Sequence, residues 1–492
     1  MKKYSFLIGS LFLFANLAAQ TTYTIDDCRK LALGNNKSNK IAEAESEKAK
    51  YERKAAFTKY FPDLSIKGAY VRNGDELSLL AEDMFLPIGT VVNGSFSLTP
   101  DQINNEWMML GGQAIPLDAD GKPFDPKKNP EKILWKQYTT IPADELTFDT
   151  RNIFIASLNL VQPVFMGGKI VAYNKICKLK EQLADSKLNT LQEDILVKVD
   201  EAYWQIVALS NKRKAVESLI SLLTKMEGDV SSLIESGMAT KTDELSISVK
   251  KNEAEMALLK VDNGIHLSKM LLAQYCGIPL EENYVLEDET DESIELADNE
   301  LVDMETVYEN RNEVKSLTIA EEIYKQKEHV ERAKLLPSIA LIGSFAGMNP
   351  SMKNGFDTSF GWDWHVGVTV NIPLLHWGEN IYTLKAAKCD TRIAQYQQDD
   401  VKEKIELQVS QSTFNHSEAL RKLEISDRNL QKATENLTHA TIGFEEGVIP
   451  ASNLMEAQTA WLSAKSNKIE AEIEAKVSEI NYKKATGTLI EK

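Results

Sequence analysis

Beyond its first 20 residues, the sequence lacks any apolar run long enough to form a membrane-spanning helix. Such a helix needs about 20 consecutive, mostly apolar residues. The segment 1–20 has the pattern of a secretory signal peptide, with two lysines, a short apolar run and then small residues, and cleavage is expected near Ala19 or Gln20. A transmembrane anchor is the less favoured alternative because the apolar run is short. The mature chain is therefore expected to be exported, and to enter a membrane only through β-strands.

Cysteine is scarce, and basic residues are outnumbered by acidic ones. The four cysteines, Cys28, Cys177, Cys276 and Cys389, show no CxxC spacing and no obvious pairing. We interpret them as isolated small apolar side chains, although an exported chain permits disulfides. The formal net charge of −17 argues against a nucleic-acid partner. Residues 281–305 carry twelve acidic and no basic side chains, a composition that favours a solvated linker.

The sequence also lacks the motifs that would carry catalysis or bind a cofactor. Its six histidines include no pair at metal-ligand spacing, and it contains no P-loop, no GxSxG and no glycine-rich dinucleotide motif. Neighbouring carboxylates such as Glu445 and Glu446 are better interpreted as surface charge near a turn. We therefore expect a protein that is not an enzyme and that holds no cofactor or metal.

Glycines, prolines and asparagines recur at constant offsets, which indicates an internal duplication. An offset of 210 positions holds over about 115 residues, and an offset of 275 applies nearer the N-terminus. The difference of 65 residues locates an insertion in the first copy between about Tyr70 and Arg151. The pairs at an offset of 210 are Pro163 and Pro373, Gly168 and Gly378, Gly237 and Gly447, and Gly277 and Gly487, and those at 275 are Asn35 and Asn310, and Pro62 and Pro337.

The offsets divide the chain into two copies of one unit, each with a helix, a strand pair and a long helical hairpin. The first copy also holds the insertion, at about 72–150, which is rich in turn-forming residues. We interpret the insertion as a partial lid or a long ordered loop. In order along the chain, we expect a signal peptide at 1–20, a first repeat at 21–277, an acidic linker at 278–305, a second repeat at 306–487 and a tail at 488–492.

Each repeat contains two runs in which apolar and polar residues alternate, as they do in a strand with two unlike faces. The runs lie at about 62–72 and 150–163 in the first repeat, and at about 337–347 and 362–373 in the second. Their lengths are close to the roughly 9–11 residues of a tilted membrane-spanning strand. Four strands cannot close a membrane barrel, for which bacterial proteins use about eight or more. Three chains are the smallest assembly whose barrel would hold an open lumen.

Long helices are predicted after the strands. Neither 169–227 nor 379–442 contains glycine or proline, which predicts helices far longer than the usual globular one. Within the first run the apolar residues are spaced at an average of 3.5 positions, which is the coiled-coil period. We therefore expect two helical hairpins, at 169–277 and 379–487, whose packing is supplied by neighbouring helices.

Proline and glycine mark both places where a strand gives way to a helix. We expect the proline to end the strand ladder and the glycines to relieve the steric cost of the bend. The residues at these corners are Pro163, Gly167 and Gly168 in the first repeat and Pro373 and Gly378 in the second.

With these features the chain resembles a known family, the TolC-type outer-membrane efflux proteins. The similarity covers essentially the whole mature chain, including the segment "YTIDDCRKLALGNN", both strand pairs, both corners and the turn "ESGMATKTDEL". The most specific signal is "EEGVIPASNLMEAQTAWLSAK", which is similar to the family's pattern of glycine, then Asn/Asp-Leu, then acid-Ala-Gln.

The resemblance implies a fold class and a function. The implied fold is α+β: three chains, each a tandem duplication of a strand pair and a long helical hairpin, form a 12-stranded β-barrel continued by a long α-helical coiled-coil tunnel across the periplasm. The implied function is the outer-membrane exit duct of a tripartite efflux system that passively conducts small molecules such as drugs and toxic compounds. The implied partners are two further copies, outer-membrane lipid, a periplasmic adaptor protein and an inner-membrane pump of the resistance-nodulation-division or ABC type.

The resemblance also places a periplasmic entrance at the tips of the hairpins. Members of this family carry rings of acidic side chains there, and Glu456 matches one such position while Asn453 stands at the other. A ring of carboxylates in a narrow mouth favours cations and can bind divalent ions. The residues expected to contact the adaptor are Gly237, Met238, Gly447 and Val448.

The way in which the entrance closes is expected to differ from that of better-known members. Those members use a tyrosine and an arginine near the second turn, where this sequence has Phe444 and Ile449. We therefore expect apolar packing of Phe444, Val448 and Ile449 to hold the closed state. Asp243, which the offset of 210 relates to Asn453, is a further candidate at the gate.

Two alternatives remain open at this point. A type I protein secretion channel would use a similar duct, so the genes beside this one would separate it from an efflux channel. A periplasmic coiled-coil scaffold, whose strands form a small soluble β-domain, would be a soluble monomer or dimer.

Overall fold

The computed structural model describes most of the chain and divides it into two compact units. The described residues are 21–88, 91–92, 95–96, 100–123, 132–136, 138–235, 237, 239–281, 283–290, 302–353 and 357–490. The expected signal peptide at 1–20, Met238 and the acidic stretch 291–301 lie outside them. The helical unit lies within Met1–Thr58, Gly167–Leu336 and Pro373–Lys492, and the sheet unit lies within Lys59–Met166 and Pro337–Ile372.

The α-helices of the two repeats have matching lengths. In order along the described chain they are α1 Ile25–Asn35, α2 Lys37–Phe57, α3 Lys169–Glu235, α4 Lys241–Cys276, α5 Met304–Asn310, α6 Asn312–Ala333, α7 Glu379–Glu445 and α8 Ala451–Thr486. Both α3 and α7 have 67 residues, and both α4 and α8 have 36. At ~1.5 Å per residue, α3 and α7 are each about 100 Å long. None of these described helices combines the length and the apolar composition needed to cross a membrane.

Four long β-strands, two from each repeat, form a single sheet. In order along the described chain the strands are β1 Thr21–Tyr23, β2 Asp63–Arg72, β3 Leu77–Ser78, β4 Met84–Pro87, β5 Val91–Val92, β6 Ser95–Phe96, β7 Trp107–Leu110, β8 Gln113–Pro116, β9 Tyr138–Ile141, β10 Thr147–Phe148, β11 Asn152–Met166, β12 Tyr284–Leu286, β13 Ser338–Asn349 and β14 Gly361–Asn371. The sheet is antiparallel throughout, in the order β14–β13–β11–β2. The repeats join between β11 and β13, where Leu158 lies opposite Phe345. The predicted α+β fold, with a strand pair and a long helical hairpin in each repeat, is confirmed.

Pro163 does not end its strand, so that part of the prediction was wrong. β11 continues for three residues beyond it, to Met166. Its pairing with β2 ends at Val161, opposite Asp63, and its pairing with β13 shifts register between Pro163 and Phe165. Proline is tolerated in a strand at such a bulge and where one neighbour has ended, because its missing N–H is not needed there. In the second repeat β14 ends before Pro373, as expected.

A glycine follows the second helix of each hairpin and lies against the first helix of the same repeat. Gly277 after α4 and Gly487 after α8 have φ values of +67° and +72°, the left-handed conformation that glycine tolerates. A Cβ at Gly277 would lie 2.7 Å from the Cβ of Asn35, and one at Gly487 would lie 2.9 Å from the Cβ of Asn310. The repeated glycines and asparagines therefore satisfy one packing requirement that occurs twice.

Asn36 and Arg311, the residues that follow these asparagines, bind the last turns of α4 and α8 respectively. Asn36 Nδ2 donates to the carbonyl oxygen of Tyr275 at 3.1 Å. Arg311 Nη1 donates to the carbonyl oxygens of Ala485 at 2.9 Å and Lys484 at 3.1 Å. These carbonyl groups belong to the last turn of a helix, where the N–H group four residues on, which would be their usual donor, is no longer part of the helix. Because an offset of 210 relates Tyr275 to Ala485, the two repeats share this joint and differ only in the donor.

The start of the acidic segment is packed rather than solvated. β12 pairs in parallel with β1. The hydroxyl of Tyr203 donates to Asp288 Oδ2 at 2.5 Å, and Lys269 Nζ lies 2.8 Å from Glu289 Oε1. These partners lie on α3 and α4, too far away in sequence for local composition to indicate them. The interpretation of this segment as a solvated linker is therefore wrong for residues 284–290.

The insertion of the first repeat is ordered in its described parts. It contains the strand pairs β3–β10, β4–β9, β5–β6 and β7–β8. Asn105 organises its middle, where Nδ2 donates to the carbonyl oxygens of Leu117 at 2.9 Å and Lys132 at 3.1 Å, and Oδ1 accepts from Leu134 N at 2.7 Å. A role for this segment as a partial lid stays a prediction.

Candidate entrance at the two helical turns

Both helical hairpins turn at a glycine in the left-handed conformation. Gly237 lies between α3 and α4 with φ +73°, and Gly447 lies between α7 and α8 with φ +71°. A Cβ at either position would meet no atom within 4 Å. The backbone conformation, and not a lack of space, therefore favours glycine at each turn. Met238, the other predicted tip residue of the first turn, lies outside the described residues.

Thr240 and Asp243 cap the start of α4. Thr240 donates to Asp243 Oδ2 from its hydroxyl at 2.6 Å and from its backbone N at 2.9 Å, and Asp243 N donates back to Thr240 Oγ1 at 3.3 Å. This capping box pairs two N–H groups that the helix leaves free. The hydrogen bonds from the side chain and backbone of Thr240 lower the pKa of Asp243 from its ordinary value. Asp243 thus has a local role at the start of α4, and its role at a gate stays a prediction.

The second turn is closed around Gly443, near the end of α7. The carbonyl oxygen of Gly443 accepts hydrogen bonds from Val448 N at 2.8 Å and Ile449 N at 3.2 Å. A Cβ on Gly443 would lie 3.5 Å from the side chain of Ile449, so that side chain lies directly over Gly443. Val448, by contrast, is 78% exposed and points away from its own chain.

Phe444 packs into a core shared by both hairpins near their turns. The buried members of this core are Leu219, Leu223, Met226, Val230, Ile247, Ala254, Ala451 and Leu454. Within one chain, Phe444, Val448 and Ile449 therefore do not form a single cluster, because they lie in the core, in solvent and over Gly443 respectively. Closure of the entrance by these three residues stays a prediction that requires neighbouring copies.

A buried amide lies beside the same core. Gln458 on α8 is 1% exposed, its Nε2 lies 3.8 Å from Met226 Sδ, and its Oε1 has no hydrogen-bond partner among the described residues. It borders a cavity of about 140 Å³ between α3, α4 and α8. An unpaired buried acceptor costs about 1–3 kcal/mol. The sequence analysis did not single out Gln458, although its steps of seven and four from Ala451 and Leu454 place it on the buried face of the helix.

Glu456 and Asn453 lie one turn apart on the exposed side of α8. Their spacing of three residues places both side chains on the same face of the helix. Within the described part of the chain, the Glu456 carboxylate has no hydrogen-bond or ion-pair partner. One chain therefore supplies one free carboxylate at this level, and a ring requires further copies.

The corners before α3 and α7 share an unusual backbone. Gly167 and Gly168 have φ values of +63° and +85°, and the matching residues Trp377 and Gly378 have +48° and +90°. A Cβ on Gly167 would lie 2.6 Å from the carbonyl oxygen of Ala333, so only glycine fits there. Trp377 adopts the left-handed conformation at a cost of about 1–2 kcal/mol. Its side chain is 89% exposed in the single chain.

The second repeat matches a known protein family. Residues 304–488 match the model of the outer membrane efflux protein family. This match confirms the predicted resemblance. The predicted outer-membrane localisation is confirmed by the same match, since the family is that of outer membrane efflux proteins. The matched range nearly coincides with the second repeat, and the first repeat has long helices of the same lengths.

Solved structures of membrane proteins have the same fold along nearly the whole chain. A membrane protein from Pseudomonas aeruginosa aligns with a TM-score of 0.70 and 13% identity, over 94% of this chain and 93% of that one. The outer membrane protein VceC from Vibrio cholerae gives 0.66 and 15%, over 94% and 96%. The open MtrE outer membrane channel from Neisseria gonorrhoeae gives 0.69 and 13%, over 94% and 89%. Identities this low show the fold alone, and no curated protein matches the chain.

Proposed function

We propose that this protein is the exit duct of a tripartite efflux system. It would conduct small molecules passively to the exterior, after a periplasmic adaptor and an inner-membrane pump of the resistance-nodulation-division or ABC type have delivered them. The observation that carries the proposal is the four-stranded sheet, in which β2 and β14 each have a neighbour on one side only within the described chain. A sheet edge left open in lipid costs several kcal/mol for each unpaired backbone group.

The strand order favours closure of the sheet by identical copies. Because directions alternate across β14–β13–β11–β2, the two edge strands run in opposite directions. β14 of one copy can therefore pair with β2 of the next and continue the antiparallel pattern. Three copies give twelve strands, an even number like that of bacterial outer-membrane barrels. A barrel of this size can enclose a lumen, whereas side chains fill one of about eight strands.

The edge strand β14 has one face suited to lipid. Trp364, Val366 and Val368 lie on the same face and are 70%, 74% and 62% exposed in the single chain. They alternate with His365 and Thr369 on the opposite face. Apolar residues facing lipid and polar residues facing the lumen are the pattern of membrane-spanning barrels. The two faces of β14 therefore support a barrel in which Trp364, Val366 and Val368 would face lipid, and His365 and Thr369 would face the lumen.

An apolar stripe along α4 supports the same assembly. Its side chains are all between 46% and 71% exposed in the single chain. Soluble monomers rarely leave so large an apolar surface in water, whereas helices of neighbouring copies would cover it. The members of the stripe are Leu245, Val249, Met256, Leu259, Leu267 and Leu271.

The hairpin turns are proposed as the entrance and the adaptor contact. Three copies would bring three Glu456 carboxylates towards one axis, with Asn453 one turn away, and such a ring favours cations. The turns at Gly237 and Gly447, including the exposed Val448, would meet the adaptor. Support comes from the free carboxylate of Glu456 and from the exposure of Val448.

The mass of the assembled protein tests the proposal. The full chain, extracted from outer membranes in mild detergent, is expected to contain three chains per particle by light scattering corrected for bound detergent. The reason is that fewer than three copies leave either open strand edges or no lumen. A monomer or dimer that stays soluble without detergent would support a periplasmic scaffold and overturn the proposal.

A further inference from the structure

Two cysteines that are far apart in sequence meet in the core of the helical unit. Cys28 lies in α1 and Cys276 is the last residue of α4, and each is 1% exposed. The thiol of Cys276 donates to the carbonyl oxygen of Cys28, with Sγ 3.5 Å from the oxygen. Both belong to one core cluster with Tyr203 and Leu272. Both are free thiols in an apolar core, as the sequence analysis expected. They are not isolated from each other, however, and a separation of 248 positions conceals this contact.

Other contacts hold the same two helices together at this place. The absent side chain of Gly277 lets the end of α4 lie against Asn35, at the end of α1. Asn36 then binds the carbonyl oxygen of Tyr275, the residue before Cys276. The thiols are thus kept close by a joint that does not depend on them.

The other two cysteines lie elsewhere. Cys177 is buried in α3, and Cys389 is exposed on α7, where its Sγ accepts a hydrogen bond from Arg392 at 3.1 Å. Neither has a contact with another cysteine among the described residues. They provide controls with the same chemistry within the same chain.

We propose that Cys28 and Cys276 form a disulfide in the exported protein. The bond would tie the first helix of the first repeat to the end of its hairpin. It rests on export to an oxidising compartment, where disulfides form and persist, and not on the conduction of any substrate. A crosslink between positions so far apart removes much of the freedom of the unfolded chain, and so stabilises the folded one.

The bond would form by exchange with a disulfide-bearing oxidant, either a protein or a small molecule of the form R–S–S–R′. One cysteine thiolate attacks a sulfur of the oxidant, which releases R′–S⁻ and leaves a mixed disulfide. The second thiolate attacks the cysteine sulfur of that mixed disulfide, which releases R–S⁻. The pair loses two electrons, the oxidant gains two, and the two thiol protons pass to the released thiolates or to solvent.

Burial of the two thiols determines when this exchange happens. The hydrogen bond with Cys276, burial, and the negative charges of Asp27 and Asp200 all raise the pKa of the Cys28 thiol. The hydrogen bond with Cys28 has the opposite effect on its partner and lowers the pKa of the Cys276 thiol. The docked pair nevertheless reacts slowly, because each thiol is 1% exposed and an oxidant or a reductant cannot reach it. The disulfide is therefore expected to form before α1 docks, and to resist reductants once the protein has folded.

Counting free thiols in the exported protein tests the proposal. The full chain is trapped in acid from outer membranes, unfolded in detergent, and labelled with a maleimide without reduction. Mass spectrometry is expected to show two labels on the wild type, at Cys177 and Cys389, and four after reduction, since the chain has four cysteines. Four labels without reduction would overturn the proposal.

A single substitution tests whether Cys28 belongs to the disulfide, and the labelled positions of the wild type identify its partner. Cys28→Ser frees Cys276, so three labels are expected without reduction if the two are partners. One label would show that the disulfide joins two of the other three cysteines and does not include Cys28, and would overturn the proposal. Labelling is done on the unfolded chain, so the count does not depend on whether the variant assembles or conducts.

Discussion

At the scale of single residues, neighbouring side chains at the second turn have quite different roles. Glu456 is exposed and has no partner within the described chain, whereas Gln458, two residues later, is buried with an unpaired oxygen. Phe444 and Val448 divide in the same way between the core and solvent. Exposure therefore separates the residues available to other copies from those that fix the hairpins of one chain.

Glu456→Gln is predicted to reduce the preference of the channel for cations. Three carboxylates near one axis attract cations by their charge, and the amide keeps the size of the side chain while removing that charge. The reversal potential in a planar bilayer with a salt gradient measures the effect. It is expected to move towards zero relative to the wild type.

The matched control is Glu418→Gln, which removes another exposed carboxylate, on α7 and away from the turns. It should leave the reversal potential close to that of the wild type. Equal shifts in the two variants would mean that Glu456 has no special place at the entrance.

His416→Gln is predicted to weaken the acid sensitivity of the helical unit. His416 is buried on α7, and its Nδ1 lies 2.9 Å from Ser478 Oγ. Burial lowers its pKa from the ordinary value of 6.5, with Glu479 acting in the opposite direction and Lys483 in the same one. As pH falls below 6.5, the unfolded chain binds a proton that the folded chain does not yet bind, so stability is lost in that window.

Helix content followed on heating, at pH about 7.5 and about 5.5, measures this effect. The wild type should unfold up to a few degrees lower at the acid pH, and His416→Gln should lose part of that difference. His439→Gln, at an exposed position of the same helix, should keep it. If both variants behave as the wild type does, proton binding at His416 does not contribute.

At the scale of elements, the ends of the helices determine how each repeat is held together. Gly277→Ala is predicted to destabilise the protein by about 1–3 kcal/mol, because the added methyl group meets Asn35 in an overpacked site and adopts an unfavourable left-handed conformation. The unfolding temperature of the purified protein measures this change.

Gly228→Ala provides the control for the glycine change. Gly228 lies inside α3, where a Cβ would meet no atom within 4 Å. Alanine there should leave stability unchanged or raise it by about 0.5–1 kcal/mol, because it favours a helix over glycine. If Gly277→Ala were no more harmful than Gly228→Ala, the close approach to Asn35 would not be the reason for the repeated glycine.

The elements themselves could be predicted from the sequence more fully than their contacts. The alternation in the strands and the absence of glycine and proline after Lys169 and Glu379 are local signals, so the long strands and helices followed from them. The end of β11 was misplaced because a bulge and the end of a neighbouring strand make Pro163 tolerable. Asp288 and Cys28 have partners on distant helices, and no local pattern indicates such contacts.

At the scale of the whole molecule, a single chain leaves two sheet edges and an apolar helix surface uncovered within its described part. Its sheet has two edges of opposite direction, and α4 carries an apolar stripe that its own hairpin does not cover. The internal duplication doubles the strands and hairpins within a chain, yet four strands remain too few for a closed barrel. In the proposed duct, assembly with identical copies would complete both the sheet and the helical surface.

The conductance of the purified full chain in a planar lipid bilayer tests the central claim most directly. If the protein is an exit duct, the current should rise in discrete, uniform steps as single assemblies insert, and the steps should favour cations. Protein that inserts into the bilayer without producing such steps would contradict the account.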